Sequence, residues 1–202
     1  MLDVESFILV GGASSRMGRD KARLAFQGQT AIDRTSALLR SITSRVALVG
    51  GREDYVGMET IVDTHERWGA LGGIHAALRN CRTAWALIIA CDLPLVTNDL
   101  FGRLMSFTDE SIDAVVPIQP DGRPQPLCAL YRRAGCLGET ERLIAQDEHS
   151  PRALLSVVKT RWIEYHEVSD LRSAQHFFLN VNTPEDYEEA KRLLAEKPNE
   201  VW

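Results

Sequence analysis

Residues 7–21 read FILVGGASSRMGRDK, and they carry the clearest structural signal in the sequence. Its first four residues form a short apolar run typical of a buried strand, and two adjacent glycines follow it directly. In a sheet of parallel strands, ligands bind outside the carboxyl ends of the strands, which is where this glycine-rich loop begins. The stretch therefore predicts an α/β domain whose first strand runs straight into a binding loop.

Apolar runs like the first one recur along the chain and alternate with amphipathic segments. The further runs predicted to be buried strands are residues 46–49, 86–90 and 114–117. The segments predicted to be helices are residues 31–41, 72–80, 98–107, 132–145 and 184–195. Alternation of strand and helix predicts a mostly parallel sheet with helices on both faces.

The length of the chain, 202 residues, fits one large α/β domain, and its apolar content of 45% is enough for a full core. The sequence contains no repeat and no Pro/Gly-rich linker long enough to divide it. We therefore expect a single Rossmann-like domain over residues 1–196, followed by a frayed tail over residues 197–202.

Charge and composition limit the classes of ligand and location. A formal net charge of −5 gives no diffuse basic field for nucleic acid or a membrane, so a polyanionic ligand must be small and held by local cations. The four cysteines include no C-x-x-C pair and the five histidines lack metal-ligand spacing, which argues against structural zinc and a disulfide framework. The acidic start and the lack of roughly 20 consecutive apolar residues predict a cytoplasmic protein.

The glycine-rich loop has the composition of a phosphate-binding site. Gly11 and Gly12 allow the backbone to turn so that successive N–H groups point at phosphate oxygens. Arg16, Arg19 and Lys21 add three cations within six residues of an otherwise acidic chain, which suits a triphosphate. A solvated turn with ordinary surface cations is the alternative interpretation.

Two common phosphate motifs are missing from the loop, and a third pattern matches. No G-x-G-x-x-G occurs, and a Walker A loop needs Gly-Lys-Ser/Thr where this chain has Asp20-Lys21-Ala22. The loop resembles the G-G-x-S-x-R-M-G-x-D-K signature of the molybdenum-cofactor guanylyltransferases, within the nucleotidyltransferase superfamily. The resemblance implies a fold of the nucleotide-diphospho-sugar transferase type, with Asp20 orienting the loop.

A second segment resembles the same family. Residues 61–74, IVDTHERWGALGGI, match an aspartate followed by G-P-L-x-G, with Ala70 in place of the usual proline. The resemblance implies that Asp63 and the loop containing Gly72 lie against the guanine and ribose. A carboxylate suits guanine because it can accept hydrogen bonds from both N1 and N2. Asp63 as a turn residue at a strand end is the alternative.

A third segment, residues 85–94 or WALIIACDLP, resembles the family's C-D-x-P motif. Asp92 follows a buried strand, so its side chain is expected at the same end of the sheet as the glycine-rich loop. Hard carboxylate oxygen is what Mg²⁺ requires, and we predict that Asp92 binds this metal. The alternative, a helix N-cap, is weakened because Thr97 or Asn98 marks the helix start further on. Cys91 is expected to be a buried small apolar residue rather than a catalytic thiol.

Three downstream segments extend the resemblance from Phe7 to Ala190. Residues 123–131, RPQPLCALY, match the family's Q-P-L-x-x-x-Y, and residues 180–184, NVNTP, match N-x-N-T-P. Asn180 and Asn182 are predicted to alternate on a strand and to face the same side, where their amides could position Mg²⁺-bound phosphates or the pterin. Arg152 resembles the arginine of a loop beside the second substrate, or is a plain surface cation.

The function implied by the resemblance is Mg²⁺-dependent transfer of GMP from GTP to a phosphate of molybdopterin, with release of pyrophosphate. In that role Arg16, Lys21 and Asp92 are catalytic. The nucleotide-binding set comprises Leu9, Val10, Gly11, Gly12, Lys21, Asp63, Gly72, Asp92, Arg152, Asn180 and Asn182. No general base is needed because the attacking phosphate is already ionised. Other proteins of molybdenum-cofactor biosynthesis, or acceptor proteins, are expected as transient partners.

The sequence departs from the family pattern in one segment, and three other functions remain open. Gly50-Gly51-Arg52 stands where the family often has an asparagine near the nucleotide. The same chemistry with another base or acceptor would make a molybdopterin cytidylyltransferase or a sugar-phosphate nucleotidyltransferase. An NAD-binding oxidoreductase is disfavoured because no acid follows the second strand at the ribose position. A non-catalytic nucleotide-binding partner protein would bind GTP without releasing pyrophosphate.

Overall fold

A computed structural model describes residues 3–10, 21–51, 55, 57–65 and 68–196. Residues 11–20 lie outside the described residues, and so do the tail over 197–202 and Arg52. The predictions for the glycine-rich loop that fall there concern Gly11, Gly12, Arg16, Arg19 and Asp20.

Nine strands form one large sheet and one hairpin among the described residues. They are β1 (Val4–Leu9), β2 (Ala25–Phe26), β3 (Gln29–Thr30), β4 (Arg45–Val49), β5 (Thr60–Ile61), β6 (Trp85–Ala90), β7 (Ala114–Pro117), β8 (Cys128–Arg132) and β9 (Thr160–Ile163). The large sheet has seven strands in the order β5-β4-β1-β6-β8-β7-β9, and β2 pairs with β3 in the hairpin.

Five of the six α-helices in the described part of the chain follow predicted segments closely. They are α1 (Ala31–Arg40), α2 (Gly69–Asn80), α3 (Asn98–Ser106), α4 (Arg133–Ala145), α5 (Pro151–Val157) and α6 (Pro184–Ala195). Threonine side chains cap three of them: Thr30 caps α1, Thr97 caps α3 and Thr183 caps α6. Each hydroxyl accepts a hydrogen bond from an N–H of the first turn that has no partner within the helix.

The sheet is mostly parallel, as predicted. Strand β1 lies between β4 and β6 and is parallel to both, with Leu9 opposite Val49 on one side and Ala90 on the other. Strand β8 is the exception because it runs antiparallel between β6 and β7. Neither this strand nor β9 and α5 was predicted from the sequence.

Helices cover both faces of the sheet, which confirms the predicted architecture. The side chains of β1 alternate between two apolar clusters, as the period of a strand requires. Phe7 and Leu9 pack in the cluster that includes residues of α2, α4 and α5. Ile8 and Val10 pack in the cluster that includes residues of α1 and α3. The apolar side of α6 packs against the β2–β3 hairpin through Leu193, Leu194 and Phe26.

Two local predictions need correction. Helix α2 begins at Gly69, so Gly72 lies inside the helix and does not start it. The strand predicted around Asn180 and Asn182 is wrong, because no strand is assigned there. The backbone N–H groups of this segment have other partners: Val181 N donates to the Asp92 carbonyl, and Asn182 N donates to the Asp186 carboxylate. A sheet ladder therefore cannot continue through it.

No helix in the described part of the chain is both long enough and apolar enough to cross a membrane.

Candidate functional site

The carboxyl ends of the central parallel strands meet at one end of the sheet. The Leu9 carbonyl accepts a hydrogen bond from Cys91 N at 3.2 Å, and Val10 N donates to the Val49 carbonyl at 2.9 Å. These bonds fix the end of β1 between the ends of β4 and β6. Leu9 and Val10 thereby lie beside the segment that carries Asp92, and Cys91 is buried there, as expected for a packing residue.

Three predicted site residues come together at this end of the sheet. The Lys21 Nζ lies 2.6 Å from Asn182 Oδ1 and 3.3 Å from Asp92 Oδ2. Lys21 is 71 residues from Asp92 and 161 from Asn182 in sequence, so the fold alone makes this cluster. The side chains of Lys21 and Asp92 are each 20% exposed, which leaves them accessible to a ligand while shielding much of their charge from water.

Among the described residues, one carboxylate oxygen of Asp92 has no hydrogen-bond partner. Its Oδ2 pairs with Lys21, but Oδ1 is buried and accepts no hydrogen bond from the described residues. A buried oxygen without a donor costs free energy, so water, an ion or a ligand is expected to satisfy it. The alternative role as a helix cap is excluded, because the hydroxyl of Thr97 caps α3 by accepting from Leu100 N at 3.3 Å.

The carboxylate of Asp92 is a suitable type of ligand for Mg²⁺. Within the described ranges, no group of three His, Cys, Asp or Glu side chains is arranged to hold a metal. Mg²⁺ does not need such a group, since it is usually bound by one or two carboxylates together with substrate phosphates and water. Asp92 is suited to hold such an ion, since no described residue donates to its Oδ1.

Asp186 supports the cluster from the first turn of α6. Its Oδ2 accepts hydrogen bonds from Asn182 N and Thr183 N, both at 2.9 Å. The bond from Asn182 N–H is the main cause that lowers the pKa of Asp186, and the nearby charge of Lys21 contributes. Asp186 was not predicted as a site residue, although an acid three residues after Thr183 is the signal of a capping box.

Asp63 is a turn residue in this structure. Its Oδ1 accepts a hydrogen bond from His65 N at 2.8 Å, two residues after β5 ends. Gly72 packs against this turn: a Cβ at Gly72 would lie 2.2 Å from the His65 carbonyl oxygen and 3.2 Å from Asp63 Oδ2. The absence of a side chain at Gly72 therefore allows the Asp63 turn to pack against α2. Contact of Asp63 or Gly72 with guanine remains a prediction.

The Gly50-Gly51 segment packs closely against the end of β1. Both residues have left-handed backbones, with φ of +77° and +85°. A Cβ at either position would lie 3.2 Å from the Val10 carbonyl oxygen, and Gly50 N donates to the Ile61 carbonyl at 3.0 Å. Glycine here lets the chain turn tightly beside Val10, at the position where the family often carries an asparagine.

Arg152 and Asn180 are not joined to the lysine cluster by any described contact. Arg152 is exposed in the first turn of α5, and its backbone N–H donates to Ser150 Oγ at 3.2 Å. The Asn180 amide donates to the Phe178 carbonyl at 3.2 Å, while only Asn182 of the two asparagines contacts Lys21. Their roles toward a second substrate stay predictions.

One family model and several known proteins are similar in sequence to this chain. The family model described as MobA-like NTP transferase domain matches residues 6–168. A probable molybdenum cofactor guanylyltransferase of Pelotomaculum thermopropionicum is 32% identical over 207 residues, covering 100% of this chain and 99% of its own. A molybdenum cofactor guanylyltransferase of Desulfosudis oleivorans is 32% identical over 195 residues, with 95% of this chain and 96% of its own covered.

Solved structures share the whole fold. Molybdopterin-guanine dinucleotide biosynthesis protein A from Archaeoglobus fulgidus has a TM-score of 0.81 at 25% identity, covering 95% of this chain and 99% of that one. The 2-C-methyl-D-erythritol 4-phosphate cytidylyltransferase from Thermus thermophilus has a TM-score of 0.68 at 18% identity, covering 96% and 100%. The second likeness concerns the fold alone.

Replacing Gly72 by alanine tests the packing of the Asp63 turn. A methyl group 2.2 Å from the His65 carbonyl oxygen must displace the turn, so we expect the free energy of unfolding to fall by about 2 kcal/mol despite the better helix propensity of alanine. Gly102→Ala in α3 is the control, because nothing lies within 4 Å of its Cβ position. Denaturant unfolding of both variants measures the difference, and equal stability of Gly72→Ala and wild type would contradict this packing role.

Proposed function

The chain belongs to the family of MobA-like NTP transferase domains, and from this membership we propose that it transfers GMP from GTP to a phosphate of molybdopterin. The products are molybdopterin guanine dinucleotide and pyrophosphate. The relatives named molybdenum cofactor guanylyltransferase support this assignment, since each aligns over nearly its full length. The proposed working location is the cytosol, with transient contacts to proteins that supply or accept the molybdenum cofactor.

The cluster of Lys21, Asp92 and Asn182 at the carboxyl end of the sheet is the main structural support for this function. A cation and a partly unsatisfied carboxylate stand side by side there, directly beyond the strand ends where parallel sheets bind nucleotides. A triphosphate with a divalent cation matches this pair, because the lysine attracts phosphate oxygens and the carboxylate attracts the metal.

Asp92 would hold Mg²⁺ through its oxygen atoms. When bound, this ion supplies positive charge that reduces repulsion between the two phosphate groups and polarises the α-phosphate. Lys21 has a long side chain and a point charge, so it can turn from Asp92 toward the distal phosphates that leave as pyrophosphate. Arg16 and the backbone N–H groups of Gly11 and Gly12 are proposed to surround the same phosphates.

The reaction needs alignment more than proton transfer. The attacking phosphate of molybdopterin is ionised at neutral pH, so no side chain has to remove a proton from it. The obstacles are the repulsion between two anions and their poor alignment, and both are reduced by fixed charges that hold the two substrates in line. We propose that Asn180 and Arg152 contribute on the side of the pterin.

Guanine recognition is proposed for the Asp63 turn. Oδ1 of Asp63 accepts from His65 N, and carboxylate oxygens are the type of acceptor that suits the N1 and N2 hydrogens of guanine. Leu9, Val10 and Gly50-Gly51 would line the approach to the ribose, because they form the tight junction between β1 and β4.

We expect GTP to bind at least about tenfold more tightly than ATP or CTP, since a paired carboxylate contact to guanine has no counterpart in those bases. Calorimetry in the presence of Mg²⁺ measures the affinities. A parallel pyrophosphate-release assay with molybdopterin and each of the four nucleotides identifies the base that is transferred. Equal affinities would remove guanine selection, and release with CTP alone would make the chain a cytidylyltransferase.

Lys21→Ala is expected to weaken GTP binding more than GMP binding, because the ammonium group is proposed to contact the distal phosphates. A loss of about tenfold in GTP affinity beside a loss of less than about threefold for GMP would support this role. Lys159→Ala, which removes an exposed lysine, serves as the control. Equal losses for GTP and GMP would make Lys21 a general support of the loop.

Asp92→Asn tests the metal site. The substitution keeps the volume and one acceptor oxygen but removes the charge, so we expect turnover to fall by about a hundredfold or more in the chemical step. Thermal unfolding without ligand should shift by only a few degrees. Added Mg²⁺ should no longer increase the stabilisation that GTP gives, because linkage requires a site present in the folded protein.

The outcome for Asp92→Asn separates a metal role from a structural one. Near wild-type turnover, or a melting transition that still rises with Mg²⁺ in the presence of GTP, would show that another group holds the ion. Complete unfolding of the variant would show instead that the carboxylate is needed for the fold.

A further inference from the structure

We propose that Asp186 is a positioning residue of the reaction, which holds Asn182 so that Asn182 and Asp92 together aim the Lys21 ammonium group. This role deepens the proposed function and rests on it for the identity of the nucleotide. Asp186 itself contacts neither Lys21 nor Asp92 in any described hydrogen bond. It acts through the backbone of the turn that precedes α6.

Asp186 accepts one more backbone hydrogen bond than an ordinary capping box requires. A capping box needs the acid to accept only from the N–H of the cap residue, which here is Thr183. Oδ2 of Asp186 also accepts from the N–H of Asn182, one residue before the cap, at the same distance of 2.9 Å. The additional bond holds the residue whose side chain contacts Lys21.

The same turn is tied to the sheet on its other side. Val181 N donates to the Asp92 carbonyl at 2.9 Å, so the residues on either side of the Asn182 side chain are fixed to separate elements. Lys21 Nζ then bridges Asn182 Oδ1 and Asp92 Oδ2. Asn182, Lys21, Asp92 and Val181 therefore form a closed ring of contacts, and Asp186 holds this ring at Asn182.

A lysine side chain has several rotatable bonds and does not fix its own ammonium group. Two acceptors at defined positions can fix it, provided that neither acceptor moves. Asp92 is held at the end of a buried strand, whereas Asn182 lies on an irregular segment that depends on Asp186. Loss of the Asp186 charge should therefore release Lys21 without changing the sheet.

The neighbouring acid gives a matched control. Glu185 lies in the same first turn of α6 and is exposed. Glu185→Gln removes one negative charge from the helix N-terminus, as Asp186→Asn does, but it leaves the carboxylate that accepts from Asn182 and Thr183 unchanged. Asp186→Asn replaces this carboxylate by the weaker acceptor oxygen of a neutral amide. Thr183→Ala is a second control, because it removes the hydroxyl that accepts from Asp186 N at 3.1 Å and so weakens the cap alone.

The first experiment measures Lys21 in the protein without nucleotide. An amine-reactive ester acylates lysines, and peptide mass spectrometry gives the rate at Lys21 relative to exposed Lys159. We expect Asp186→Asn to raise the relative rate at Lys21 by about threefold or more, since a lysine freed from its acceptors is more accessible. Glu185→Gln and Thr183→Ala should leave it within about 1.5-fold of wild type.

The second experiment is a double-mutant cycle on the affinity for GTP with Mg²⁺. Asp186→Asn alone should weaken binding by about fivefold, whereas in the Asn182→Ala background it should cost less than about twofold, because its effect passes through Asn182. Glu185→Gln should stay within about twofold of wild type. Calorimetry on the four proteins of the cycle supplies the affinities.

The role is overturned if Lys21 acylation in Asp186→Asn matches that in Glu185→Gln, or if the losses from Asp186→Asn and Asn182→Ala simply add. Lower melting temperatures in Asp186→Asn and Thr183→Ala with the same Lys21 rate would also overturn it, since Asp186 would then only cap the helix. The acylation result does not depend on any nucleotide. A failure of dinucleotide synthesis by wild type would thus reject the proposed function while leaving the acylation result to decide the positioning role.

Discussion

The parallel pairing of β1 with β4 and β6 determines where the residues of the candidate site lie. It brings three carboxyl ends together, with Leu9 between Val49 and Ala90. Every segment that follows one of these strands therefore starts at the same place. If β6 ran in the opposite direction, Asp92 would emerge at the far end of the sheet and could not meet Lys21. The cluster is thus a product of strand direction before it is a product of side-chain chemistry.

Much of this arrangement could be predicted from the sequence because the central strands are buried on both faces and read as continuous apolar runs. The end of such a run marks the end of a strand, which placed Asp92 correctly beyond β6. The starts of α3 and α6 could also be predicted, because Thr97 and Thr183 provide the caps. Strand direction is not encoded in composition, however. The antiparallel course of β8 is set by pairing partners that are distant in sequence, such as Tyr131 and Ala86.

The conformation of residues 180–182 could not be predicted, because backbone N–H groups of this segment donate to acceptors in other elements. The alternation in Asn180-Val181-Asn182 is typical of a strand, yet the donors at Val181 and Asn182 are taken by the Asp92 carbonyl and the Asp186 carboxylate. A local pattern cannot reveal such competition, because the acceptors belong to other elements. The same limit applies to Gly72, whose packing role depends on the His65 carbonyl oxygen.

The two outer strands of the sheet have a consequence for how separate chains meet. Strand β5 is two residues long and β9 is four, so the sheet ends in few backbone groups that lack a neighbouring strand. Arg161 on β9 also forms an ion pair with Glu167, which places charge along that border. Short and charged borders give a foreign strand little to pair with. The chain can therefore keep a long, apolar and aggregation-prone centre of its sheet while offering almost no template for intermolecular β pairing.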